Sequence, residues 1–321
     1  MVRPTSVLIV SEPDDLHAEA VRAILDRDFG IGARVVDLAA PQTGSYAVGA
    51  GTRVPVARLD GLELSEVRSV WWRRPRRAAP AKSLSPEVDA FRQAECDHFL
   101  RGMLWQLEGV HWVNAPDREL VAARKLVQLS AARRAGLCVP DTVVTNDPVQ
   151  AAQFVEQCPA GVIFKRTGTS RGPFTATRLL TREHLSQLES IRESPTTFQR
   201  YIEAECDVRV VWAGERAMAV RIDSQSGIDQ VDSRLDNSVA FTPWQLPPEL
   251  YAGLAGLMAD LGLVFGVIDL RIGLDGRCYF LEVNPQGQFA YLEIKTGLPM
   301  CAEVAALLHA PRPAAHPALA G

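Results

Sequence analysis

Lysine is almost missing from this chain of 321 residues: there are four, Lys82, Lys125, Lys165 and Lys295, and 30 of the 34 basic residues are Arg. Where Arg serves as well, this chain uses Arg, so each remaining Lys is a candidate for a role that needs a compact ammonium. Excess charge is missing as well. The formal net charge is −4, which argues against a nucleic-acid binder driven by phosphate neutralisation. No apolar run reaches the ~18 residues of a membrane span. The first residues lack a basic stretch followed by an apolar one, so no secretory leader is expected there. The six Cys (96, 138, 158, 206, 278 and 301) form no C-x-x-C pair, which disfavours a zinc knuckle or a disulfide scaffold. They read as buried thiols acting as small hydrophobes, in a reducing cytoplasm. The six His show no metal-ligand spacing.

What is present is ordinary globular composition, 47% apolar and 22% charged. It suffices for a core in one large or two to three medium lobes. Residues 6–11 read as a buried strand, 14–29 as a helix with Leu16, Ala20, Ala23, Ile24 and Leu25 in one stripe, and 33–38 as a strand. This β-α-β opening predicts a parallel α/β lobe. Residues 41–66 are a candidate hairpin, and the strand 68–72 runs into Trp72-Arg73-Arg74-Pro75-Arg76-Arg77. Ser85-Pro86-Glu87 starts a helix expected to reach about Leu107. A strand over 110–114 and a helix from Asp117 to about Ala135 follow. Next come strand 142–146, helix 148–157, strand 161–166, a loop, strand 173–180, helix 181–191 and strand 196–200. Two long strands, 206–213 and 215–222, precede an irregular polar stretch, 223–243. A helix over 247–261, strands over 263–273 and 277–284, and a helix near 300–308 lead to a tail expected to be disordered.

The strongest chemical signal is the pair GVIDLRIG and CYFLEVNP around Asp275-Gly276, read as a two-residue hairpin turn. That turn sets Asp269 across from Glu282, with Arg271 and Asn284 on the same face. Opposed carboxylates repel and need a cation between them. Two readings remain open: an Asp269–Arg271–Glu282 ion network, or an oxygen-only cluster of Asp269, Glu282 and Asn284 suited to Mg²⁺.

Lys165 ends an apolar strand, and a buried ammonium needs an anion. The loop after it, Thr167-Gly168-Thr169-Ser170-Arg171-Gly172, offers backbone N–H groups and hydroxyls to phosphate, or is a plain hairpin beside a snorkelling Lys. Lys125 faces Val121 and Leu129 on its helix. Residues 197–202 leave a strand with extended backbone that suits an adenine edge, with Tyr201 and Ile202 as apolar contacts. Asp207 or Glu205 suits ribose hydroxyls, and Arg209 and Arg221, on successive strands, suit phosphate oxygens or a solvated strand face.

In this order, a helix Lys, a strand Lys with a GTSRG loop, an FQRYI hinge before DVR, then VIDLR and LEVNP, the chain resembles the ATP-grasp superfamily over residues 115–310. Trp72-Arg73-Arg74-Pro75 and LEVNPQGQFAYLEIKTGLP (281–299) are similar to the microviridin-type ATP-grasp peptide maturases, the graspetide ligases. The chain departs from their pattern at Asp207, where Glu is more frequent. The resemblance implies an α/β (α+β) ATP-grasp fold with a pre-ATP-grasp lobe over 1–115, a central lobe over 116–200, a C-terminal lobe over 201–310 and a tail over 311–321. It implies a cytoplasmic macrocyclase using ATP and Mg²⁺ on a ribosomally made precursor peptide, joining activated Asp or Glu side chains to Ser/Thr or Lys. The alternative is a ligase adding an amino acid to another carboxylate. Lys125, Lys165, Thr169 and Ser170 would then hold phosphates, Gln199, Tyr201 and Ile202 adenine, and Asp207 the ribose. Arg271, with Arg221 and Lys165, would act on the reacting groups. Arg73 and Arg74 would meet the peptide, and Asp229 and Asp232 its leader. A homodimer is implied as well.

Overall fold

Val7 to Val10 form the last four residues of the first strand, β1 (Thr5–Val10), and are buried on both faces, as a parallel strand requires. The computed structural model describes residues 5–39, 58–59, 62–79, 82–83, 85–107, 109–165, 177–227 and 239–309. Two units divide the chain: residues 1–116 with 299–321, and residues 117–298.

In the first unit, α1 (Leu16–Phe29) is capped by the Asp15 carboxylate, which accepts from the His17 N–H, and ends at Gly30 with a left-handed φ of 67°. β2 (Gly32–Val36) follows, then a small hairpin of β3 (Arg58–Leu59) and β4 (Leu62–Glu63). β5 (Ser69–Trp72), α2 (Pro86–Trp105) and β6 (His111–Val113) complete the lobe. The sheet runs β2-β1-β5-β6, parallel throughout, as the β-α-β opening predicts. Its core joins Leu8, Val10, Val70 and Trp72 to Leu100, Met103 and Leu104 of α2. The last helix, Met300–His309, belongs to this unit: it packs on α1 and β5, and its Leu308 carbonyl accepts from the buried Ser69 hydroxyl at 2.7 Å. Most of the expected 41–66 hairpin and the 311–321 tail lie outside the described residues.

The second unit opens with α3 (Pro116–Ala122) and α4 (Lys125–Arg134), not the single predicted helix. Arg124 is extended between them, and the buried Gln128 amide donates to the Ala122 carbonyl at 2.6 Å. This break makes Lys125 the first residue of α4. β7 (Thr142–Thr145), α5 (Pro148–Glu156), β8 (Val162–Lys165), β9 (Arg178–Leu179), α6 (Arg182–Ser186) and β10 (Thr196–Arg200) follow. They build an antiparallel sheet, β7-β10-β8-β9, with α5 on it. Of the strand predicted over 173–180 only β9 is a described strand, and the helix predicted over 181–191 is α6 followed by a 3₁₀ turn.

β11 (Ala204–Ala213), β12 (Arg216–Ile222), β13 (Phe241–Trp244), α7 (Pro248–Leu261), β14 (Phe265–Gly273), β15 (Cys278–Asn284) and α8 (Ala290–Thr296) complete the unit. Their sheet is antiparallel, ordered β13-β12-β11-β14-β15. β13 falls where the sequence reads as irregular; Pro243 disguises it, and an edge strand tolerates Pro. α8 was likewise not expected. Alternation sorts the sheet. Cys206, Val208, Val210, Trp212, Ile268, Phe280 and Val283 pack in one core with α4 and α7. Asp207, Arg209, Asp269, Arg271 and Glu282 line a cleft.

The β14–β15 hairpin closes through Leu274-Asp275-Gly276, a three-residue loop with Gly276 at φ 74°, not the two-residue turn expected. Beside the loop Ile272 pairs with Cys278; a bulge then shifts the register so that Asp269 pairs with Glu282. Gly287, just beyond β15, is a forced choice, because a Cβ there would lie 2.4 Å from Cβ of Val267.

Candidate active site

Cations outnumber carboxylates among the charged groups that line the cleft. Five cations line it, Lys125, Lys165, Arg200, Arg209 and Arg271, against three carboxylates, Asp207, Asp269 and Glu282. Such a wall attracts an anion. Ile163, Tyr201, Ile202 and Leu281 add an apolar part that suits a flat ring.

Asp269 and Glu282 stand directly opposite each other. Arg209 and Lys125 offset their repulsion: Arg209 Nε lies 3.0 Å from Asp269 Oδ1, and Lys125 Nζ lies 3.0 Å from Glu282 Oε2. Arg271 is clamped by Asp207, with Nε 2.7 Å from Oδ1 and Nη2 3.1 Å from Oδ2. Both groups are buried. A two-point clamp fixes the guanidinium plane and keeps a buried charge compensated.

Two opposed carboxylates on one hairpin are a donor set that fits Mg²⁺, which takes one or two carboxylates and completes its octahedron with phosphate and water. Among the described residues no three His, Cys, Asp or Glu gather into a metal cluster. Asn284, two residues after Glu282, is exposed, and its Oδ1 accepts from the Gln286 N–H at 3.0 Å.

Gln199 serves differently from expectation. It is buried in β10, accepts from Lys165 Nζ at 3.1 Å and donates to Thr142 Oγ1 at 2.8 Å. It therefore braces Lys165 rather than offering its amide to a base. The Tyr201 N–H is likewise engaged, donating to the Gly161 carbonyl. Asp207 has both oxygens on Arg271, which overrides the ribose role expected for it. Arg209 keeps its cleft position, and its Nη1 also donates to the Tyr291 hydroxyl at 2.8 Å.

Arg221 is not brought in. It pairs across the sheet with Val208, whose side chain is in the helix-packed core, while Arg209 pairs with Val220. Its guanidinium binds Glu205 at 3.0 Å, and that bond raises its pKa above the usual arginine value. Arg73 is fully buried in the first unit, with Nε donating to Asp15 Oδ2 at 3.2 Å, so it cannot meet a peptide. Burial alone would raise the Asp15 pKa; hydrogen bonds from His17 and Ser11 and the Arg73 charge outweigh it and hold the carboxyl below its usual range. Arg74 is partly exposed and paired with Glu12, and Arg76 with Asp37. Thr169, Ser170, Asp229 and Asp232 lie outside the described residues.

Sequence reasoning missed Thr142, Tyr291 and Gln128. Only Gln128 carried a signal, a polar residue in the apolar stripe of Leu129, Ala131 and Ala132. It is buried and ties α4 to β15 by accepting from the Val283 N–H at 3.0 Å and donating to its carbonyl at 2.8 Å.

No family model matches the chain, and no curated protein matches it. Solved structures do. The macrocyclase MdnC from Microcystis aeruginosa MRC, bound with precursor peptide MdnA, is 28% identical with a TM-score of 0.83, covering 95% of this chain and 99% of that one. The macrocyclase MdnB from the same source is 26% identical with a TM-score of 0.79, covering 95% and 99%. The RiPP-associated ATP-grasp ligase of Chryseobacterium gregarium, in complex with ADP and a leader and core peptide, reaches a TM-score of 0.83 at 21% identity, covering 96% and 98%; it bears on the fold alone.

The chain shares its fold with ATP-grasp ligases. The cleft lies in the second unit, bounded by β8, β10, β11, β14 and β15. Among the described residues no helix is long and apolar enough to cross a membrane.

Proposed function

We propose that this ATP-grasp ligase is a peptide macrocyclase of the microviridin type. It uses ATP and Mg²⁺ to activate Asp or Glu side chains of a ribosomally made precursor as acyl phosphates and joins them to Ser/Thr or Lys side chains. The observation that carries this reading is the cleft itself. Five cations line one cleft with a directly opposed carboxylate pair, in a chain that shares its fold with MdnC over 95% of its length. Mg²⁺, when bound, would neutralise phosphate charge. Asp269, Glu282 and Asn284 are the residues to hold it. Lys125 and Lys165 then turn their ammonium groups to phosphate, and Arg209 adds a third cation. Ile163, Tyr201, Ile202 and Leu281 exclude water around a base. Arg271, kept in one plane by Asp207, is oriented to hold the carboxylate being activated and to offset charge during transfer.

Residues 1–115 form the pre-ATP-grasp domain in this reading, and 116–200 and 201–310 the two lobes. The leader engages the acidic segment 223–243, through Asp229 and Asp232. A second copy of the chain is a further partner. Six free cysteines fit a reducing cytoplasm.

The test is incubation with the precursor encoded beside this chain, ATP and Mg²⁺. Loss of one water per bond in the peptide mass, with ADP release, is expected. An unchanged mass across candidate precursors overturns the reading, and a mass gain in the acceptor points to a ligase that adds an amino acid.

A further inference from the structure

Three polar side chains stand in a row across the sheet of β7, β10, β8 and β9. Gln199 of β10 lies directly opposite Thr142 of β7. Lys165 of β8 lies opposite Thr197, two residues along β10 from Gln199. Period 2 puts all of them on one face. Val143, Phe164 and Phe198 take the other face and pack with α5.

The hydrogen bonds of the row run one way. Lys165 Nζ donates to Gln199 Oε1 at 3.1 Å, and Gln199 Nε2 donates to Thr142 Oγ1 at 2.8 Å. Thr142 Oγ1 in turn donates to the Pro140 carbonyl at 2.9 Å. Both ends fix the amide. An ammonium only donates, so Oε1 must face it. The single hydroxyl proton of Thr142 is engaged by Pro140, so that hydroxyl can only accept from Gln199. Aligned in this way, the dipoles polarise one another. Gln199 itself is 1% exposed, while the ammonium it holds belongs to a residue that lines the cleft.

The brace is neutral, and that is its informative property. Lys125 and Arg209, two other cations of the cleft, meet the carboxylates of Glu282 and Asp269. A Glu at position 199 would fill the same space as Gln and grip an ammonium more strongly. It would also cancel part of the charge that Lys165 offers to a third group. An amide oxygen places the ammonium without cancelling it. We infer, on the reading of the cleft as a phosphate site, that Gln199 and Thr142 are positioning residues for phosphate binding. Gln199 aims Lys165 through a neutral dipole that leaves the ammonium charge to the phosphate, and Thr142 holds the amide in that orientation.

Dissociation constants of ADP and adenosine, measured on the full chain by displacement of a fluorescent ADP analogue, test this, because their ratio isolates the phosphate contribution. Gln199→Glu should cut the preference for ADP about tenfold, with adenosine affinity unchanged and a melting temperature no lower than that of the wild type. Thr142→Val should cut the preference about threefold, and Thr142→Ser, which keeps the hydroxyl, should retain it. A row that serves only the sheet gives another pattern: Gln199→Glu leaves ADP binding intact, and Thr142→Val lowers the melting temperature alone. If Gln199→Glu does not fold, the two Thr142 variants decide. The wild-type preference in Gln199→Glu and Thr142→Val overturns the inference and leaves the phosphate reading standing. A wild-type chain that binds adenosine as tightly as ADP overturns the phosphate reading, and the inference with it.

Discussion

Arg73 and Arg271 are built from the same parts and serve different ends. Each is buried, and each is held by one aspartate, Asp15 or Asp207. Around Arg73 the chemistry is closed. Ser11 and His17 also bond to Asp15, and the guanidinium is fully buried beside the Trp71 ring. Around Arg271 it is open, because Asp207 and Arg271 line a cleft together with Lys125, Lys165, Asp269 and Glu282. A buried Arg–Asp pair is therefore not a site by itself. Its neighbours decide whether its charge is spent on the fold or held ready for a ligand.

The comparison is broken most sharply by conservative changes. Arg271→Lys should lower the rate of ADP release roughly 100-fold, because an ammonium cannot keep the planar two-point clamp, with an unchanged melting temperature. If activity survives, the clamp is structural, as at Arg73. Arg73→Met should do the reverse. Leaving Asp15 buried and uncompensated costs about 3–5 kcal/mol of stability, seen as a lower denaturant midpoint, while activity of the folded fraction persists. Arg73→Met with Asp15→Leu should recover much of the loss.

A smaller effect follows from pH. The Asp15 carboxyl titrates below its ordinary value of 3.8 in the fold. The unfolded chain therefore takes up the proton first. The stability this carboxylate contributes is complete above the unfolded value and is lost as pH falls through the folded one. Melting temperatures measured from pH 7 to pH 2 should show a steep acid limb, less steep in Asp15→Asn at a cost in stability near neutral pH. An identical limb in the two proteins would show that the pair does not govern it.

Much of the fold was legible because the signals were local. The parallel lobe follows from apolar runs around a capped helix, and the long strands of the second unit from alternation. The Asp269–Glu282 pairing was legible despite an error of detail. The loop is one residue longer than expected, and the bulge on β15 restores the register. Lys125 and Lys165 do reach the cleft, as the scarcity of lysine hinted. Lys295 lies over the Phe241 ring at 4.4 Å. What was not legible depends on distant register. Asp207 meets Arg271 across β11 and β14, 64 residues apart in sequence, beyond an irregularity between Ala204 and Cys206. Arg221 could have been excluded earlier, because a turn at Ala213-Gly214 already pairs Arg209 with Val220 and sends Arg221 to the other face.

The central claim is that the opposed carboxylates and their cations form a metal–nucleotide site. Calorimetric binding of ADP to the full chain tests it without turnover. Wild-type protein should bind ADP with Mg²⁺ and lose most of its affinity when Mg²⁺ is withheld. The variant Asp269→Asn/Glu282→Gln, at an unchanged melting temperature, should not gain affinity when Mg²⁺ is added. Equal Mg²⁺-dependent affinity in the variant and the wild type would contradict the account.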